Sequence, residues 1–145
     1  MNSPVNLRIL NILVVVVAFA GAFIGLFKYS MSAGPRMSWD SKLVLNEYFV
    51  RSQARNYAGA YQLTSQNLKS NLSVQSLTQQ WQAFEKAHGG IKNWQPLRGG
   101  SVNIFPKFVE SVYAVTGTKK GAGTVWVRMI PENGAWRVDK IVIQP

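Results

Sequence analysis

The spacing of apolar positions along this chain changes twice, and each change marks a new kind of element. From Ile9 to Phe27 run nineteen uncharged residues, thirteen of them Ile, Leu, Val or Phe, with Asn11 the one strongly polar member. At about 1.5 Å per residue a helix of that length nearly spans a hydrocarbon core of about 30 Å. The summed insertion preference of the apolar residues outweighs one Asn near the end. The run therefore predicts a transmembrane helix over 9–28, behind a short tail, 1–8. A cleaved signal peptide is the rival, because Ala18-Phe19-Ala20 and Ser30-Met31-Ser32-Ala33 both resemble cleavage sites. Signal peptides usually have apolar regions of about 7–15 residues, and Arg8 alone makes a poor basic leader, so an uncleaved anchor is the preferred reading.

After a polar connector, 29–39, with Gly34-Pro35 as its turn signal, the period becomes helical. Asp40 or Ser38 is positioned to cap a helix carrying Leu45, Tyr48 and Phe49. Asn56 starts a second, shorter helix through Tyr57 and Tyr61, and Ser65 to Asn71 reads as a polar turn. Ser73 then caps a third helix with Val74, Leu77, Trp81, Phe84 and His88 on one stripe, stopped by Gly89-Gly90. Beyond Gly90 the period falls to two. Ser101–Phe105, Val109–Thr118, Gly123–Ile130 and Ala135–Gln144 read as strands, the last two joined by a Pro131-Glu132-Asn133-Gly134 hairpin turn. Helices first and hairpin-linked strands afterwards predict an α+β domain over 40–145, with about three helices on a curved antiparallel sheet of about four strands.

Charge narrows the partners. The net charge is +10, and only Arg8, Lys28 and Arg36 precede residue 40, so the domain itself carries +7. Such a domain beside a membrane is drawn to anionic headgroups or to an acidic surface of another subunit. Nucleic acid is the disfavoured partner: zinc-finger spacing, a Gly-rich phosphate loop and an RNA-recognition strand motif are all missing. Lys119, Lys120, Arg51 and Arg55 are the candidate basic surface. The positive residues around the span lean slightly toward a cytoplasmic domain and leave its side open. With no cysteine in the sequence, disulfides and thiolate metal sites are excluded, and the compartment is not fixed by this.

Within the span, Gly21 and Gly25 form a small-xxx-small pair, with Ala18 and Ala22 on nearly the same face. Such a stripe lets another helix approach closely. It is the candidate helix-packing face.

Leu45-Asn-Glu-Tyr-Phe49 followed by Asn56-Tyr-Ala-Gly-Ala-Tyr61, and the terminal hairpin Trp126 to Val138, resemble the nuclear-transport-factor-2-like (cystatin-like) superfamily over roughly 40–145. The resemblance implies a cone-shaped fold with a concave pocket, hosting enzymes in some members and pure binding modules in others. Membrane-anchored members of the family include bitopic scaffold subunits of type IV secretion systems.

Family enzymes place a carboxylate, His or Tyr inside the cone as general acid or base. Here His88 is the sharpest single residue, with Glu110 and Asp139 as its candidate partner acids. Its place in the last helical turn is better explained by a favourable interaction with the helix C-terminus. One His with scattered acids does not make a metal site, and no cofactor is expected. Tyr48, Tyr61, Trp81, His88 and Tyr113 are the candidate pocket, with core packing the competing explanation of their aromatic rings; Trp39 suits the membrane interface. The expectation is a non-catalytic accessory or assembly subunit of a larger membrane complex, single-pass in a bacterial inner membrane. Two alternatives stand beside it: a membrane-tethered small-ligand-binding domain or enzyme using the cone pocket, and a self-associating scaffold of a secretion-type machine.

Overall fold

The computed structural model describes residues 39–97, 101–104, 106–119 and 121–145. The expected span and its stripe of Ala18, Gly21, Ala22 and Gly25 lie outside the described residues, as does Lys120. Among the described residues no helix is long and apolar enough to cross a membrane.

Among the described residues four helices pack on an antiparallel sheet of five strands. The first helix, α1, covers 39–53. It buries Ser41, Leu45, Tyr48, Phe49 and Ser52, a stripe of helical spacing. Asp40 lies inside this helix and does not precede it. The chain leaves α1 through Arg55, held at φ 59°. It re-enters helix at Asn56, whose side chain accepts from the Gly59 amide at 2.9 Å and caps α2 (Tyr57–Gln62).

The segment expected to be a turn is a helix, α3 (Gln66–Asn71), capped by Ser65. Its start is fixed from far away in sequence. The Ser65 amide donates to the Val138 carbonyl at 2.8 Å, and the Val138 amide donates to Leu63 at 3.0 Å. Glu132, which lies in the expected hairpin turn, instead accepts from the Gln66 amide at 3.1 Å, and Leu68 is buried underneath. A six-residue helix cannot hold itself in water. Tertiary anchoring overrides the polar sequence here.

Helix α4 (Val74–His88) follows the prediction at both ends: Ser73 accepts from the Ser76 amide, and Gly89 at φ 79° closes it. Leu77, Trp81 and Phe84 are buried.

The strands are β1 (Ile91–Pro96), β2 (Ser101–Ile104), β3 (Lys107–Gly117), β4 (Ala122–Glu132) and β5 (Ala135–Gln144). β1 was not foreseen, and it raises the count to five. β1 and β2 lie end to end along one side of β3, in the order β1-β3-β4-β5 with β2 also on β3. The β4–β5 turn is tighter than expected, because Pro131 and Glu132 still pair with Trp136 and Ala135. Asn133 at φ 51° and Gly134 at φ 77° are left as a two-residue turn of the kind that suits twisted hairpins. Register shifts at Lys92 of β1 and at Asp139 of β5, opposite Arg128 and Met129, are sites where strands bend.

Tyr48, Phe49, Trp81 and Phe84 meet the inner face of the sheet at Val115, Val125, Val127 and Val138, all essentially inaccessible to solvent. The Trp81 indole donates to the Tyr48 hydroxyl at 3.2 Å, which satisfies the polar atom of each ring inside the core.

Candidate binding groove

α1 does not lie flat on β1 along its whole length. At its C-terminal end the Gln53 amide donates to the carbonyls of Ile91 and Lys92, both at 3.2 Å, and draws helix and strand together. One to three turns earlier a groove of about 260 Å³ opens between them. Lys42, Leu45, Asn46 and Phe49 form its helix wall, Trp94 and Pro96 its strand wall, and Tyr113 of β3 reaches it from beneath.

The register explains the convergence. Pro96 pairs with Tyr113 and Trp94 with Val115, so both face the core side of the sheet, where Phe49 meets them. The Phe49 ring stacks on Trp94 at 5.4 Å between centroids, with 23° between planes, and leans on Tyr113 at 5.3 Å. The floor is therefore aromatic and already packed.

Three residues of the lining carry polar groups: Lys42, Asn46 and Tyr113. Burial raises the Tyr113 hydroxyl above the ordinary phenol range, opposed by a hydrogen bond with Ser111, so at neutral pH it stays protonated and able to donate. Among the described residues Lys42 is the one charged side chain of the lining, and no carboxylate or histidine belongs to it. The groove can hold an apolar group and offer hydrogen-bond donors to something anionic at its lip; it holds no acid–base pair for proton transfer.

Of the five residues expected to share a pocket, the structure brings only Tyr113 to this groove. Tyr48 and Trp81 are core. Tyr61 is half-buried on α2, with its hydroxyl on the Lys69 carbonyl at 3.3 Å and the Lys69 ammonium 5.9 Å above its ring. His88 packs its ring 5.0 Å from Phe84, and its two nitrogens are buried with no hydrogen-bond partner among the described residues. Gly117 lies so close to this helix end that a Cβ there would stand 1.9 Å from the His88 carbonyl oxygen, which only glycine avoids.

His88, Glu110 and Asp139 occupy three separate settings. Glu110 binds Arg128 at 2.6 Å; Asp139 is buried and accepts from Ser65 and Asn67. Glu85 is likewise engaged, by the Tyr57 hydroxyl at 2.9 Å and Arg55 at 3.1 Å. Burial, and then the bond to Glu85, push the Tyr57 hydroxyl up to about 12. Among the described residues no three His, Asp or Glu side chains gather into a metal-binding group. In the expected basic surface, Arg51 is tied to Glu47 at 2.7 Å and to the Gly59 carbonyl at 2.8 Å, and Arg55 to Glu85. Lys119 reaches the Lys86 carbonyl, at 3.5 Å.

Sequence reasoning missed Lys42, Asn46, Phe49, Trp94 and Pro96 as a group. The spacing of 42, 46 and 49 does mark one shoulder of a helix, and that was the available signal. Its opposite wall belongs to the strand that the pattern did not reveal.

No protein-family model matches the chain, and no curated protein matches it in sequence.

Proposed function

We propose that this chain is a non-catalytic, membrane-anchored accessory or assembly subunit that docks onto a larger membrane protein complex. In this reading the apolar run 9–28 is the anchor, Ala18, Gly21, Ala22 and Gly25 pack on a partner helix, and the domain, of nuclear-transport-factor-2-like kind, sits at the surface of a bacterial inner membrane. The supporting observation is how the charged groups are used. Apart from Asp40, every carboxylate of the chain is bound internally: Glu47 to Arg51, Glu85 to Arg55 and Tyr57, Glu110 to Arg128, Glu132 to the start of α3, and Asp139 to Ser65 and Asn67. Acids held in this way position backbone and neighbours, and a surface with excess Lys and Arg remains for an acidic partner or for headgroups. The outward side of α1 adds apolar area directly after the connector, with Trp39 67 % and Leu43 58 % exposed.

The test is a pull-down of the full chain from native membranes in mild detergent, with co-purifying chains identified by mass, alongside a Gly21→Leu/Gly25→Leu double variant. A stoichiometric set of other chains, lost in the double variant, is the expected result. Recovery of free monomer, with no partner crosslinked in the membrane, would overturn the proposal.

A second reading, self-association, has one observation in its favour. The sheet face turned away from the helices carries Phe108, Val112, Trp126, Ile130 and Val142, none fully buried. Arg128 lies 4.9 Å above Phe108 and 5.8 Å above Trp126. A pull-down that returns only copies of this chain, and fails for Trp126→Glu, would favour that reading.

A further inference from the structure

We infer that the groove between α1, β1 and β3 receives an apolar side chain from an acidic segment of the partner protein, with Lys42 pairing with a carboxylate beside that side chain. This rests on the docking reading above and names the chemistry that one of its contacts would use.

Size argues first. Pockets for drug-sized molecules run from about 300 to 1,000 Å³, and this groove is about 260 Å³, room for one large side chain or two small ones. The helix wall from Lys42 to Phe49 extends only about 10 Å at 1.5 Å per residue, whereas the acyl chain of one leaflet spans about 15 Å, half a hydrocarbon core. A lipid tail is too long for it. A projecting Phe or Leu is not, and the half-buried Trp94 ring, held in place by stacking on the buried Phe49, offers it surface.

Charge selects the flanking residues. Asp40 stands two residues before Lys42, about 200° round the helix, and Glu47 five residues after it, about 140° round; Glu47 is in any case held by Arg51. Neither acid is on the shoulder of Lys42. The ammonium at the lip therefore faces an incoming group with no acid of its own wall to neutralise it, and a carboxylate adjacent to the inserted side chain complements it. Asn46, one turn on, supplies hydrogen bonds for the backbone of the segment. An inserted side chain flanked by lysine would instead meet repulsion at that lip.

The test is nitrogen-15 NMR of the full chain in detergent micelles, titrated with N-acetyl-Glu-Phe-Glu-amide, its Lys-Phe-Lys and Glu-Ala-Glu counterparts, and phosphatidylglycerol bicelles. Saturable shifts at the Asn46 amide, the Trp94 indole and the Tyr113 amide are expected with Glu-Phe-Glu alone. Lys42→Glu is expected to weaken that binding by about tenfold or more while leaving the rest of the spectrum in place, with Lys42→Gln intermediate. Equal binding of the Lys-Phe-Lys peptide, undiminished binding of Glu-Ala-Glu, or shifts confined to other surfaces would overturn the inference, as would groove shifts produced by the bicelles and not by the peptide. The pull-down separates the two readings: an intact complex with no peptide response sinks the groove inference and leaves the accessory subunit standing, whereas peptide binding without any complex does the reverse.

Discussion

The hydroxyl of Ser65 donates to the carboxylate of Asp139 at 2.9 Å, across 74 positions of sequence. The same oxygen accepts from the Leu68 amide at 3.0 Å, so one serine both starts α3 and ties it to β5. Asn67 adds a second donor to Asp139 at 3.0 Å. Asp139→Ala leaves the Ser65 donor buried without its acceptor, and bonds to charged groups are worth about 1.5–3 kcal/mol. The variant is expected to lose about 2–3 kcal/mol in urea unfolding, with α3 amides exchanging faster with solvent than those of α4. An unchanged midpoint would show that α3 is held without help from the Asp139 carboxylate.

Tyr48→Phe tests whether the inner aromatics are core and not a ligand site. The hydroxyl it removes is the partner of the Trp81 indole, and both residues are fully buried. A loss of about 1–2 kcal/mol is expected from the unpaired donor. The Glu-Phe-Glu peptide should bind the variant as before, since Tyr48 does not line the groove.

His88→Leu is expected to stabilise the fold. Two buried nitrogens with no partner among the described residues are replaced by an aliphatic group that still packs on Phe84. Removing an unsatisfied buried polar group regains about 1 kcal/mol. A higher urea midpoint checks this; a lower one would mean that the ring is held by a contact that the described residues do not include.

Alkaline pH should unfold the domain through its tyrosines. The Tyr57 hydroxyl is pushed from 10.0 up to about 12, and burial raises Tyr48 and Tyr113 as well. Because the folded-state values lie above the unfolded one, folding favours the neutral phenols. That stability is complete below about pH 10 and is lost as pH rises toward and past 12. Absorbance at about 295 nm, the phenolate band, should rise for these residues together with loss of circular dichroism. Tyr57→Phe should make the alkaline loss less steep. Free titration of all tyrosines near pH 10 in a folded protein would contradict the burial described.

The legible parts of this fold were those whose signals are local. Ser73 and Gly89 bound α4 as their side chain and φ demand, and the Leu77-Trp81-Phe84 stripe identifies its buried face without help from elsewhere. Asn133-Gly134 fixes its hairpin because those residues accept positive φ. β1 escaped notice because it is an edge strand with only Ile91 buried, so alternation had nothing to mark. α3 escaped because its reasons for being helical, Val138, Asp139 and Glu132, lie on other strands.

By itself, then, the sequence determined the apolar run, the excess of basic charge, the α+β order and the caps of α2 and α4, because each depends on residues within a turn or two of one another, or on composition. Tertiary structure alone decided which carboxylates are bound internally and which aromatic rings are core. It also decided that Lys42 meets Trp94 and Tyr113 across a groove. Those outcomes depend on strand register and on the distance between helix and sheet. Both are set by the packing of segments far apart in the chain, where no local pattern reports them.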